Sequence, residues 1–76
     1  MNRLTQEEIF CTNIKKLRIS NGLSKTKMAE ICGIGTKSLN TIEQGTIPPR
    51  LSANILWHIW EHFKVPPHLL FEKNAL

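Results

Sequence analysis

The sequence has few of the features that disulfide-rich, metal-binding or membrane-spanning proteins require. Its two cysteines, Cys11 and Cys32, do not form a CxxC spacing, and no secretory signal is present. Two reduced, buried thiols are therefore expected, rather than a disulfide or a metal site. The longest apolar runs are far too short to span a bilayer, so no membrane partner is expected. Because no targeting segment is found, the predicted location is the cytoplasm.

The features of an enzyme are also missing. The sequence contains no nucleophile–base pair, no pair of carboxylates and no phosphate-binding loop, which makes catalysis the weakest interpretation. His58 and His62 have the i, i+4 spacing of two zinc ligands on a helix, but only Glu61 or His68 could complete such a site. A solvated or interface face is the preferred interpretation, so no metal, cofactor or small-molecule ligand is predicted.

Strand-like alternation, internal repeats and low-complexity tracts are absent as well. A chain of 76 residues has room for one small core. We therefore expect a single all-α domain over residues 1–76, whose packed part covers about residues 8–71.

What is present is an excess of positive charge. Ten lysine and arginine residues against six acidic residues give a net charge of +4 at pH 7, and the isoelectric point is about 9.4. This balance favours a polyanionic partner such as a nucleic acid, although charge alone does not establish one.

Local signals predict three helices in the first part of the chain. The first runs from a capping box of Thr5 and Glu8 to about Ser20, and Leu4 can pack against Ile9 across its start. A second helix covers residues 24–32 and ends at a glycine, and a third begins at Gly35 or Thr36 and reaches Gln44. Their apolar residues recur at helical spacing and are predicted to form the core. These residues are Phe10, Ile14, Leu17, Met28, Ala29, Cys32, Leu39 and Ile42, and Ile34 is expected to fill the core from the turn between the second and third helices.

Two further helices are predicted after a proline-stiffened loop over residues 46–50. Ser52 caps the fourth, which extends to about Phe63, and Pro67 suits the first position of a fifth that runs through Phe71. The apolar residues of the fourth helix occupy more of its circumference than a small core can bury. They form two stripes, one of Leu56, Trp60 and Phe63, and one of Ile55 and Ile59 flanked by Trp57.

Some of this apolar surface is expected to form a two-fold dimer interface together with the last helix. The residues assigned to this interface are Ile55, Trp57, Leu69, Leu70 and Phe71.

Across about residues 10–71, an ordered set of residues resembles the Cro/lambda-repressor-type helix-turn-helix family. The set consists of Ile14, Leu17-Arg18, Gly22-Leu23-Ser24, Met28-Ala29, Gly33-Ile34, Leu39, Ile42-Glu43, Gly45 and Pro49. The resemblance implies a five-helix domain in which the second and third helices form the helix-turn-helix. It also implies that the chain binds operator DNA as a dimer and regulates transcription.

The resemblance further assigns base contacts to the third helix. Thr36, Lys37 and Thr41 match the family positions that meet base edges, and Asn40 lies close by. Their spacing turns them away from the apolar face, as a helix in the major groove requires. Lys37 can donate to guanine, and Asn40 can pair with adenine. The alternative is that these residues form an ordinary solvated face.

Phosphate contacts are expected around the helix-turn-helix. Lys25 and Lys27 lie in the first turn of the second helix, where the helix dipole disfavours cations unless a phosphate is near. Relatives usually have glutamine at the Lys25 position, and the departure puts in question the usual side-chain bridge to the third helix. The full set assigned to phosphates is Ser24, Lys25, Lys27, Ser38, Thr46 and Arg50. By family position, Arg18 and Glu43 form an ion pair that ties the first helix to the end of the third.

The favoured function is a homodimeric regulator that binds a pseudo-palindromic double-stranded operator and represses by occlusion. A phage or prophage repressor, or a small regulator of a restriction–modification operon, fits this description. The second interpretation is an antitoxin or other module that binds a protein partner, such as a toxin, through the fourth helix and the end of the chain. Trp57 and the last leucines keep this alternative open.

Overall fold

A computed structural model describes residues 5–76, and this part of the chain is all-helical. Its helices are α1 (Gln6–Ser20), α2 (Lys25–Cys32), α3 (Thr36–Glu43), α4 (Asn54–Phe63) and α5 (Pro67–Leu70). No strand occurs within the described range. The predicted five-helix, all-α fold is therefore confirmed. Leu4, the predicted packing partner of Ile9, lies outside the described residues.

Side-chain caps fix the starts of α1 and α2. The backbone amide of Thr5 donates to Glu8 Oε1 at 3.0 Å, and the amide of Glu8 donates to Thr5 Oγ1 at 3.1 Å, which is the predicted capping box. Ser24 caps α2 as predicted, because its hydroxyl oxygen accepts from the amide of Lys27 at 3.1 Å. These local bonds place both helices where the sequence predicts them.

The turn between α2 and α3 is held against α4. Gly33 has a φ of +72°, and a Cβ at this position would lie 2.7 Å from His58 Cε1. His58 Nδ1 donates to the carbonyl oxygen of Cys32 across 3.0 Å. Glycine is thus required twice, for the left-handed backbone and for the approach of the imidazole. The sequence does not predict this role of His58.

The core forms where α1, α2 and α3 meet the inner face of α4 and α5. The eight helical residues that the sequence places in the core are buried, and Ile55, Ile59 and Leu70 join them. Ile34, which the sequence also places in the core, is only partly buried and packs against it from the turn. Both cysteines are free and buried, as predicted. Burial raises the pKa of the Cys32 thiol to about 11, and burial together with Glu7 and Glu8 raises the pKa of Cys11 to about 11. Both thiols therefore stay protonated at neutral pH.

The helix α4 differs from the prediction in its start and in its inner face. It begins at Asn54, and Ser52 caps only through the Asn54 amide, which donates to its hydroxyl oxygen at 3.1 Å. Ile55 and Ile59 enter the core, whereas Trp60 is 44% exposed. The assignment of Ile55 to a dimer interface is therefore wrong, because its side chain is used inside the monomer.

A buried polar residue fixes the last helix to the first. Asn13 Nδ2 donates to the carbonyl oxygens of Leu70 at 2.8 Å and Glu72 at 3.1 Å. Pro67 occupies the first turn of α5, as predicted. Leu70 is completely buried, so its assignment to a dimer interface is also wrong. None of the helices within residues 5–76 combines the length and apolarity that crossing a bilayer requires.

Candidate nucleic-acid interface

The short helix α3 has two chemically different faces. Leu39 and Ile42 are completely buried on its inner face. On the opposite side Thr36, Lys37 and Asn40 are exposed. The structure therefore brings the side chains that the sequence assigns to base contacts onto an open polar face, backed by a rigid apolar one.

Thr41, the fourth residue assigned to bases, is half-buried at the edge of this face. Its hydroxyl donates to the carbonyl oxygen of Lys37 at 3.1 Å, one turn earlier in α3. Because its proton is used inside the helix, the hydroxyl oxygen remains as an acceptor. Thr41 can therefore offer a methyl group and an acceptor to a partner, but not a free donor.

An ion pair sets the orientation of α3. Arg18 Nε lies 2.6 Å from Glu43 Oε2, and Arg18 Nη2 lies 3.0 Å from Glu43 Oε1. The side chains are 16% and 4% exposed, so the contact is largely shielded from water. The hydrogen bonds to Glu43 raise the pKa of Arg18 above its already high usual value. The ion pair that the family resemblance implies is present, and it is bidentate.

The same guanidinium also reaches the start of α2. Arg18 Nη1 donates to the carbonyl oxygen of Leu23 at 3.1 Å, just before the cap residue Ser24. One side chain of α1 therefore contacts both halves of the helix-turn-helix. This arrangement holds the amino end of α2 and the carboxyl end of α3 in a fixed relation.

A second contact joins α2 to α3 at the surface. Lys25 Nζ donates to Asn40 Oδ1 at 2.8 Å, so a side-chain bridge exists despite the absence of glutamine at position 25. Lys27, two residues later, lies 3.8 Å from Glu30 within its own helix. Both lysines are exposed at the amino end of α2, but only Lys25 contacts the polar face of α3.

An open groove lies at the amino end of α3. Ser38 and Arg50, two residues assigned to phosphates, line it together with Gly35. Gly35 provides no side-chain cap to the first turn of α3, so the amides there are left without a side-chain partner. Thr46 is exposed at the opposite end of α3 and lies outside this groove. The groove thus combines a hydroxyl, a guanidinium and a helix amino end, which suits an anion.

The loop that carries Arg50 is tied to α1. The backbone amide of Ile47 donates to Glu7 Oε2 at 2.8 Å. Its sequence contains two prolines that stiffen it further. Glu7 is a positioning residue that sequence reasoning missed, and no periodicity or motif marks it, because its partner is a backbone amide forty positions away in the chain.

Apolar side chains are exposed on α4, after α5 and near the end of α1, where Ile19 is 58% exposed. Trp57 is 52% exposed and stacks on Trp60, with ring centroids 5.8 Å apart. Phe71 is 38% exposed and stacks on Phe10 at 5.3 Å. Leu69 is half-buried. Of the residues assigned to an interface, Trp57, Leu69 and Phe71 keep accessible surface, and Trp60, which the sequence placed in an apolar stripe of the fourth helix, is exposed as well.

Both histidines of α4 make contacts within the fold. His58 is engaged with the α2–α3 turn, and the His62 ring meets Phe63 edge-on at 4.8 Å. Within residues 5–76, no three His, Cys, Asp or Glu side chains converge in a way that could hold a metal ion.

The sequence was also compared with known families and proteins. A family model described as a helix-turn-helix domain matches residues 12–76. Comparisons with curated proteins and with solved structures gave no match. The matched range contains α2, α3, the ion pair and every residue assigned above to bases or phosphates.

Proposed function

The chain belongs to the XRE/Cro-type helix-turn-helix family, and we propose that it is a sequence-specific regulator of transcription that binds double-stranded DNA in the cytoplasm. One observation carries the proposal. The polar face of α3 is exposed, while its apolar face is completely buried and its end is fixed by the Arg18–Glu43 pair. A rigid helix with a free polar face is what insertion into a major groove requires.

In this proposal α3 reads the bases. Thr36, Lys37, Asn40 and Thr41 face a groove about 12 Å wide, which accepts an α-helix. Lys37 is exposed and is not engaged in an ion pair within the described residues. It therefore donates to guanine O6 or N7. The threonines contribute methyl contacts to thymine and acceptor oxygens.

Phosphates are bound on both sides of α3. At the amino end of α2 the groups are Ser24, Lys25 and Lys27, and in the groove beside α3 they are Ser38 and Arg50. Thr46 contributes after the carboxyl end of α3. Contacts from lysine and arginine release counterions from the DNA, so the affinity falls steeply as the salt concentration rises.

The proposed active form is a homodimer on a pseudo-palindromic operator, with half-sites about 34 Å apart. The exposed stack of Trp57 and Trp60 is the observation that supports self-association, and Leu69 and Phe71 are the other residues assigned to the interface. Repression follows by occlusion, because a dimer bound over a promoter blocks other proteins from the same DNA. A phage or prophage repressor and a restriction–modification regulator are both forms of this proposal.

A second candidate function rests on the same apolar surface. Two stacked and half-exposed tryptophans are unusual on an isolated small domain, since tryptophan is enriched where proteins meet. A protein partner of antitoxin type would cover them instead of a second copy of the chain. A chain that stays monomeric alone but forms a stable complex with the product of a neighbouring gene would favour this alternative.

Selection of bound sites from random duplex DNA tests the main proposal. We expect the wild type to enrich one pseudo-palindromic sequence, and we expect Lys37→Ala and Thr41→Ala each to alter the preference at one or two base positions. Lys73→Ala is the matched control, because it removes one exposed charge far from α3 in the sequence. Unchanged site preference in both α3 variants would refute the assignment of α3 as the reading helix.

A further inference from the structure

The amino end of α3 is held through the turn that precedes it. Gly35 gives the first turn of α3 no side-chain cap. The polar contacts that tie α3 to the other helices are made by Glu43 and Asn40, both in its second half. The turn over residues 33–35 therefore sets the direction of the first half of α3, which carries the exposed Lys37.

One side chain of α4 holds this turn in place. Cys32 is the last residue of α2, and the last carbonyl groups of a helix have no partner within the helix. Among residues 5–76, no backbone amide donates to the Cys32 carbonyl oxygen, and its hydrogen bond comes from His58 Nδ1 at 3.0 Å. The imidazole also occupies the space that a Cβ on Gly33 would need. His58 thus fixes the turn both by a hydrogen bond and by close contact.

The same helix carries the surface that supports self-association. Trp57, next to His58 in the chain, is 52% exposed, and Trp60 is 44% exposed. The helix α4 packs against α2 and α5, whereas α3 packs against α1 and α2. Within residues 5–76, His58 is the only side chain of α4 that forms a hydrogen bond with α2. In the proposed dimer, the connection from the interface to the reading helix therefore passes through α4 and His58.

We propose that His58 is a positioning residue that fixes the angle between α3 and the outer face of α4, and so selects the spacing of the two half-sites. This inference rests on the proposed function and deepens it, because a homodimer must place two copies of α3 at once. Each base pair added between the half-sites moves them apart by about 3.4 Å and rotates them by about 35°. A rigid link between α3 and the interface accepts one spacing, whereas a loose link accepts several.

The test varies the spacing of the half-sites while their sequence stays constant. The half-site is first taken from selection on random duplex DNA, and duplexes are then made with the two half-sites one or two base pairs closer or farther apart. The wild type should prefer one spacing over its neighbours by about tenfold in affinity, a cost similar to that of one mismatched base pair. His58→Ala should bind the neighbouring spacings within about threefold of the preferred one.

The bases preferred within each half-site separate this role from a general structural one. They should be the same in His58→Ala and in the wild type, because the side chains of α3 are unchanged. His62→Ala is the matched control, since His62 lies one turn further along α4, is exposed and contacts Phe63 instead of the turn. It should keep the spacing preference of the wild type. An equal loss of spacing preference in His58→Ala and His62→Ala would overturn the inference.

A conservative variant tests whether the hydrogen bond is the cause. The side-chain amide nitrogen of asparagine is a donor at about the same distance from the backbone as Nδ1 of histidine. His58→Asn should therefore recover most of the spacing preference that His58→Ala loses. If His58→Asn is as permissive as His58→Ala, the role of this hydrogen bond is overturned.

Nuclear magnetic resonance of the wild type without DNA supplies a readout that needs no variant. A neutral imidazole has its proton on one of two nitrogens, and a carbonyl oxygen can only accept. At a pH where the ring is neutral, His58 should carry its proton on Nδ1. A proton on Nε2 would overturn the inference, because the ring could then not donate to Cys32.

The outcomes also separate this inference from the proposed function. If the wild type and His58→Ala share one narrow spacing preference, the inference is overturned while the proposed function stands. A wild type that selects no sequence, or that binds single half-sites at any spacing, would overturn the homodimeric regulator and the role of His58 together.

Discussion

The helices α3 and α4 are built alike on the inside and differently on the outside. Each inserts two aliphatic side chains into the core, Leu39 and Ile42 from α3, and Ile55 and Ile59 from α4. On the outer side α3 exposes polar groups and one lysine, whereas α4 exposes a stacked pair of tryptophans. The same packing scheme therefore presents two surfaces of different chemistry, one suited to a polyanion and one suited to an apolar partner.

The two helices also differ in how they are held. An ion pair and a surface lysine fix α3 through its polar groups. By contrast, α4 is tied to the end of α2 by one side chain, since His58 Nδ1 donates to the carbonyl oxygen of Cys32. The polar attachment of α3 preserves the direction of its side chains, which matters for hydrogen bonding to bases. The outer face of α4 needs no such accuracy, because apolar contacts are not directional.

The largest expected effect is on the free energy of unfolding, when a buried side chain of α3 or of α4 is shortened. Leu39→Ala and Ile59→Ala should each lower the free energy of unfolding by about 3 kcal/mol, because each leaves a cavity at a fully buried site. Urea denaturation measures this, with the exposed Thr26→Ala as the control. A loss below about 1 kcal/mol in either variant would show that its helix is not anchored as described.

A comparable effect is expected from the ion pair that distinguishes α3. Arg18→Met should reduce the free energy of unfolding by about 3 kcal/mol, because it leaves the Glu43 carboxylate shielded from water without a partner. The double variant Arg18→Met/Glu43→Leu should recover part of this loss, since no unpaired charge remains. A double variant that is as unstable as the sum of both single variants would contradict the pairing.

The buried thiol of Cys32, in α2, gives a smaller and pH-dependent effect on the free energy of unfolding. The pKa of Cys32 is raised to about 11 in the folded protein from 9.0, so the folded state keeps its proton when the unfolded state loses it. The stabilisation is complete below pH 9 and is lost between about pH 9 and pH 11. Over this range the free energy of unfolding of the wild type should fall by about 2 kcal/mol more than that of Cys32→Ala. Parallel alkaline denaturation profiles of the two proteins would contradict a dry core at this position.

The smallest effect on stability is expected on the outer face of α4. Trp57→Ser and Trp60→Ser should each change the free energy of monomer unfolding by less than about 1 kcal/mol, because both side chains are about half exposed. Their effect should appear instead in sedimentation, as loss of the proposed dimer. Lys37→Ala is the matched control and should leave the dimer intact. A wild type that is monomeric at tens of micromolar would argue against self-association through α4.

Sequence reasoning was most successful where structure is decided locally. The capping box, the Ser24 cap and the apolar spacing of the first three helices depend on residues a few positions apart, so their pattern is readable. For α4 the pattern contained two apolar stripes, and the position of α2 and α5 decides which one is buried. That information is not local, and the assignments of Ile55 and Leu70 to an interface were wrong for this reason.

The contacts of the candidate site also divide into those that the sequence predicted and those that it did not. The Arg18–Glu43 pair was predictable because the family resemblance supplied both positions. The bridge from Lys25 to Asn40 was left in question because glutamine is absent at position 25. The tether from Glu7 and the contact of His58 were not predictable, since each joins a side chain to a distant backbone atom without a motif. The assignments to bases and phosphates remain predictions, although the exposed face of α3 supports them.

The hydrogen bonds from Asn13 to the end of the chain have a consequence for folding during synthesis. Its bond to the carbonyl oxygen of Leu70 spans 57 positions of the chain, and Leu70 itself closes the core. During synthesis α1 therefore emerges before the carbonyl oxygens that will accept from the Asn13 amide have been made. The helix-turn-helix can form its local turns on the ribosome, but the domain becomes complete only when residues 70–72 have left the exit tunnel.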